Sequence, residues 1–108
     1  MASFDDRKKS FERKFEHEQE LQIKVTARRN RLLGMWVAGE LGLPEDQHEA
    51  YAKEVVMSDF EKPGDSDVVE KILADCSEKG VEMSEHRLRK HMDELMAIAR
   101  DQIMNELN

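Results

Sequence analysis

Apolar residues recur along this 108-residue chain at intervals of three, four and seven, the periodicity of helices that bury one face. The pattern is densest in A-R-R-N-R-L-L-G-M-W-V-A-G-E-L-G, residues 27–42, where Leu32, Leu33, Trp36, Val37 and Leu41 share one broad face. Gly34 and Ala38 stand four apart on that helix, and Gly42 follows four further on. Such a row of missing side chains lets another helix approach closely. A glycine inside a helix costs about 0.5–1 kcal/mol relative to alanine, so Gly34 and Gly39 both predict a packing partner. The single Trp, Trp36, is expected at the centre of the core.

The same reading continued along the chain predicts four helices, over about 21–41, 44–61, 66–79 and 85–106. Leu21, Val25 and Leu32 lead into the first, and Gly42 closes it. Pro44 suits the first position of the second, where its missing N–H costs nothing. Ala52, Val56 and Phe60 form one row of that helix and Tyr51 with Val55 the next, before E-K-P-G stops it. Asp65 is placed as the N-cap of the third helix, with Asp67 favoured in its first turn. Val68, Ile72 and Cys76 are its buried stripe, beside Val69 and Leu73, and Gly80 suits the left-handed position that brings Val81 onto Cys76. Ser84 caps the fourth, stapled by Met83 and Leu88. Leu88, Met92, Leu95, Ala99 and Ile103 then run along its apolar face, flanked by Met96 and Leu107. No strand pattern, repeat or low-complexity tract interrupts the series. The expectation is an all-α protein: a small four-helix bundle over residues 21–108, preceded by an arm over residues 1–20.

The arm reads M-A-S-F-D-D-R-K-K-S-F-E-R-K-F-E-H-E-Q-E, more than half of it charged. Phe4, Phe11 and Phe15 nevertheless share one helical face, with Lys8 between them. No Pro or Gly occurs before Gly34, so the arm can extend the following helix by propagation, without fresh nucleation. Burying three Phe contributes about 5–9 kcal/mol, whereas ordering about fifteen residues costs about 15–30 kcal/mol of backbone entropy. A mobile arm that becomes helical on a partner follows, its phenylalanines acting as an anchor row for a groove. The plainer alternative is that it folds back as extra core.

Charge divides the chain at a different point. The net charge is −7, yet residues 1–34 carry nine Lys/Arg against six Asp/Glu, and residues 35–108 carry eight against eighteen. An acidic majority argues against nucleic-acid binding, which needs a positive surface to displace counterions. The length fits one domain. No run approaches the roughly 18 apolar residues of a membrane span, and the start of the chain has no secretory pattern. One cysteine makes no internal disulfide, which fits a reducing, cytoplasmic setting.

Little in the chain suggests catalysis. His17, His48, His86 and His91 include no pair three or four apart, so no helical face offers paired metal ligands. Cys76 reads as a small core hydrophobe, no Ser or Thr is set beside a base, and no glycine-rich loop follows a strand. No enzyme activity, metal or cofactor is expected. Arg28, Arg29 and Arg31 form the sharpest basic cluster, suited to bridging the acidic helices or facing an acidic partner. Arg28 and Arg31 are also the candidate contacts for a weakly held adenine nucleotide between helices. His17 is the one histidine that lies in the arm, which makes it the candidate for a pH switch.

Several stretches resemble one family along almost the whole chain: F-D-D-R, A-R-R-N-R-L-L-G-M-W, A-Y-A-K-E-V-V-M-S-D-F-E, G-V-E-M-S-E-H and A-R-D-Q-I-M-N-E. That family is the zeta subunit of the alphaproteobacterial F-type ATP synthase, also catalogued as a family of unknown function. The resemblance implies a small four-helix inhibitor that binds the catalytic head of the synthase, peripheral to the membrane and monomeric when free. Its N-terminal segment, here about residues 1–19, would become helical at a catalytic interface beside the rotor and block ATP hydrolysis. Residues 21–108 would help hold the subunit on the head. Carried over, Phe4, Phe11 and Phe15 are the apolar anchors, and Arg7, Lys8, Lys9, Arg13 and Lys14 supply charge contacts. Two rival readings are a helical adaptor for another groove and an adenine-nucleotide sensor without strong inhibition.

Overall fold

The structure, a computed structural model, describes residues 4–59 and 64–107, and residues 4–15 by their backbone alone. The first helix, α1 (Phe4–Glu40), runs uninterrupted for 37 residues, about 55 Å at 1.5 Å per residue. The backbone of the arm is therefore continuous with the first helix of the bundle, the extension that a stretch free of Pro and Gly permits. A 3₁₀ turn at Glu45–Gln47, α2 (His48–Ser58), α3 (Ser66–Glu78) and α4 (Glu85–Glu106) complete the fold. Among the described residues there is no strand, and no helix is long and apolar enough to cross a membrane.

Local chemistry explains most boundaries. The Ser84 hydroxyl accepts the Arg87 N–H at 3.1 Å, which starts α4 at the expected residue. Gly80 has φ 69°. This left-handed turn lets the Val81 N–H reach the Cys76 carbonyl at 2.8 Å and the Gly80 N–H that of Ser77 at 3.1 Å, ending α3. The second helix departs from expectation at its start. Pro44 caps the 3₁₀ turn and accepts the Gln47 N–H at 2.9 Å, so α2 begins only at His48. Phe60, expected on a row with Ala52 and Val56, lies outside the described residues. Asp65 stands at the N-cap position of α3 but makes no capping bond, because its carboxylate is held by Arg29.

Two apolar clusters form along α1. Leu33, Val37 and Ala38 meet Val55 of α2, Ile72 of α3 and Leu88 of α4, and all of these are fully buried. Nearer the N-terminus, Val25 packs with Ala99 and Ile103 of α4, flanked by Leu21, Leu32 and Met96. The cover thins further on, and Glu16 to Glu20 are all exposed.

Gly34 lies at the crossing of α1 and α2. A Cβ built there would sit 2.5 Å from the Ala52 Cα and 3.3 Å from a Val55 methyl. The packing reason expected for Gly39 is absent: it is exposed, and a Cβ there meets nothing within 4 Å. Trp36 also departs from expectation. It is half-buried at the edge of the core, since Leu33 and Val37 take the central positions on α1. Its ring stacks on His91 of α4, centroids 3.9 Å apart and planes 24° apart, with the Arg87 guanidinium 5.5 Å from the ring.

Two glycines on one helix should thus respond oppositely to one methyl group. Gly34→Ala is expected to destabilise by about 1–3 kcal/mol through overpacking, and Gly39→Ala to stabilise by up to about 0.5–1 kcal/mol. Denaturant unfolding of both variants checks this; equal effects would contradict the close approach at Gly34.

Candidate partner-binding surfaces

Phe4, Phe11 and Phe15 and the basic residues Arg7, Lys8, Lys9, Arg13 and Lys14 all fall on the first twelve residues of α1. Their side chains lie outside the described residues. By register, positions 4, 8, 11 and 15 fall on one side of a helix. Among the described residues, contacts of α1 with the bundle reach toward its N-terminus as far as Leu21 and Gln22; the Gln22 amide oxygen accepts Arg100 at 3.1 Å.

The arginine cluster is spread over three bridges. Arg28 donates to Gln102 at 2.8 Å and pairs with Glu106 at 2.7 Å, joining α1 to the end of α4. Arg31 pairs with Glu49 of α2 at 2.7 Å, with both side chains about half exposed. Arg28 and Arg31 do border one shallow groove, together with Lys24, Val56, Ile103 and Glu106. A phosphate arriving there would have to compete with two carboxylates for the guanidiniums.

Arg29 is the member whose role the sequence hides. Its side chain is 2% exposed, donates to Asn30 Oδ1 at 2.8 Å, and pairs with Asp65 at 2.7 Å. It ties the middle of α1 to the segment entering α3. Burying an arginine is costly unless its donors are satisfied, and Asn30 and Asp65 do so here. Nearby, burial pushes the Asp59 carboxyl above its ordinary range; the Asn30 amide and Arg29 oppose this, and Asp65 and Asp67 add to it.

Other polar groups serve the frame. The Tyr51 hydroxyl donates to Asp75 at 2.8 Å, pinning α2 to α3, and Lys71 of α3 reaches the same carboxylate at 3.1 Å. Burial, then the Asp75 contact, pushes the Tyr51 hydroxyl far up and keeps it neutral. Cys76 is buried, and burial together with Asp75 and Glu40 raises its thiol, the opposite of what activates a nucleophile. Among the described residues, no three His, Cys, Asp or Glu side chains are grouped as metal ligands.

Taken together, these features define a small helical protein built on one long helix, with charged bridges along its flank and an amphipathic stretch at its start. The family model of the ATPase inhibitor subunit zeta matches residues 1–102, and the chain belongs to that family. One similar solved structure, a protein determined by solution NMR, is 45% identical with a TM-score of 0.71. That likeness covers 80% of this chain and 98% of the other. No curated protein matches the chain.

The raised Asp59 carboxyl has a pH consequence. The folded state holds this proton more tightly than the unfolded one. Its contribution to stability is therefore complete below about pH 4, near the unfolded value, and is lost as pH rises through the folded value. Asp59→Asn is expected to raise the melting temperature relative to the parent at pH 7 and to lose that advantage at pH 3.5, as thermal unfolding at the two pH values would show. A variant penalised equally at both would contradict the burial effect.

Proposed function

We propose that this chain is a regulator, not a catalyst, that binds the catalytic head of the F-type ATP synthase and inhibits ATP hydrolysis. In this reading residues 1–20 are an arm, mobile in the free chain, that inserts as a helix at a catalytic interface beside the rotor. Residues 21–108 are the platform that carries it. The protein acts as a cytoplasmic monomer at the periphery of the membrane-bound enzyme.

The observation that carries the reading is the continuity of α1 from Phe4 to Glu40 in a member of this inhibitor family. A helix already nucleated in the bundle core can propagate into the arm without the nucleation cost. Continuity thus lowers the entropic barrier that three phenylalanines alone would not overcome. Phe4, Phe11 and Phe15 act as the apolar anchors, with Arg7, Lys8, Lys9, Arg13 and Lys14 as charge contacts to acidic groups on the head. A nucleotide held by Arg28 and Arg31 would need both to leave Glu106 and Glu49. Insertion of the arm needs no such exchange.

The test is ATP hydrolysis by a zeta-depleted head, titrated with the full chain, with Phe11→Glu, and with residues 20–108, each checked for helix content. The full chain is expected to inhibit, Phe11→Glu to weaken inhibition by about tenfold or more, an apolar anchor contributing about 1.5–3 kcal/mol, and residues 20–108 not to inhibit. Full inhibition by residues 20–108 would refute the assignment to the arm.

A further inference from the structure

Ile23 and Met57 are 68% and 64% exposed, the two most exposed large hydrophobic residues among those described. They come from different helices, yet both border the seam between α1 and the second half of α2. Three hollows along it meet at Val56. One pocket along it is lined by Ile23, Ala27 and Val56, the next by Ala52, Val56 and Met57, and a third passes Val56 toward Arg28. Its floor is apolar, and the helices cannot close over it because their backbones are already in contact at Gly34 and Ala52.

The walls carry both charges: Asp59, Glu49 and Glu106 also line these hollows, with Glu49 and Glu106 held by Arg31 and Arg28. Lys24 of α1 and Lys53 of α2 are exposed and border the hollows, and neither has an ion-pair partner among the described residues. The three arginines beside them do: Arg28, Arg29 and Arg31 are each held by a carboxylate. In a chain of net charge −7, two uncommitted cations flanking an exposed apolar strip select an occupant with the opposite pattern.

We propose that this α1–α2 seam is a second docking surface, independent of the arm, for an amphipathic helix of a partner protein whose apolar stripe is flanked by carboxylates. Side chains spaced three and four apart would settle between Ile23 and Met57 over Val56, with acidic neighbours meeting Lys24 and Lys53. The occupant is not the chain's own arm, because the arm continues α1 along the helix axis, away from the seam. A second copy would set lysine-bearing walls against lysine-bearing walls. An anionic membrane is disfavoured as well, since two lysines on an acidic protein fall short of the polybasic cluster that surface binding requires. Coupled to arm insertion, the seam makes binding bivalent and raises the effective concentration of the arm at its site.

The test uses the isotope-labelled full chain and two designed 14-residue helices with a leucine stripe, one flanked by Glu and the other by Lys. The Glu-flanked helix is expected to shift amides at 23–27 and 53–57 and to bind about tenfold more tightly than the Lys-flanked one, as steering by two charge pairs allows. Lys24→Glu with Lys53→Glu, both at exposed positions, is expected to reverse that preference. Equal affinity for the two helices, shifts confined to other surfaces, binding to anionic vesicles in place of the peptide, or seam shifts that grow with protein concentration alone would each overturn the proposal. No synthase enters the test, so its failure leaves the arm's inhibition standing, and the converse holds.

Discussion

The contact between Gly34 and Ala52 sets the geometry of this protein. With a would-be Cβ of Gly34 only 2.5 Å from the Ala52 Cα, α1 and α2 meet backbone to backbone, and little larger fits at that point. The close approach puts Val55 into full burial against Leu33 and Val37. It also fixes which residues fall on either side of the crossing. Toward the core lie the residues that α3 and α4 cover. Toward solvent, the two helices leave apolar hollows that meet at Val56.

From that point α1 changes character as it runs back toward its start. Around Leu33 it is enclosed by all three other helices; Val25 has its buried partners on α4; by Glu16 to Glu20 its side chains are exposed. The burial of the charged bridges depends on helix face and not on this gradient. Arg29 is buried and joined to Asp65, Arg28 is partly covered and joined to Glu106, and Arg31 is half exposed and joined to Glu49. Exposed ion pairs of the last kind contribute little to stability, about 0–1 kcal/mol. The Arg29 bridge differs because removing Asp65 would leave an uncompensated buried charge. This arrangement is compatible with the arm proposed above, which would be ordered while the platform beneath it stays fixed.

Much of the fold was legible in residue types with local causes. Ser84 before E-H-R, and Gly80 before Val81, marked two boundaries because capping depends on a few adjacent residues. The stripes of α3 and α4 were readable for the same reason. What escaped depends on distant residues. Trp36 stacks on His91 at the edge of the core because Leu33 and Val37, on the adjoining face of α1, fill the centre. Arg29 is as apolar in position as its neighbour Val25, but only the fold reveals the Asp65 that permits its burial. Asp65 loses its capping role to that same arginine. Gly39 has no packing partner and nothing in the structure accounts for it. Of the surfaces, the Phe4, Phe11 and Phe15 row could be read from spacing alone. The seam could not, since the hollows that meet at Val56 arise only through the register set at Gly34.

In the proposed function one continuous helix serves two purposes, anchored in the bundle at one end and ordered by the synthase at the other. Amide hydrogen exchange of the full chain, free and bound to the catalytic head, tests it most directly. Residues 25–37 should be protected in both states, while residues 4–15 should exchange rapidly in the free chain and slowly in the complex. Residues 4–15 already protected in the free chain, or no slower in the complex, would contradict the account.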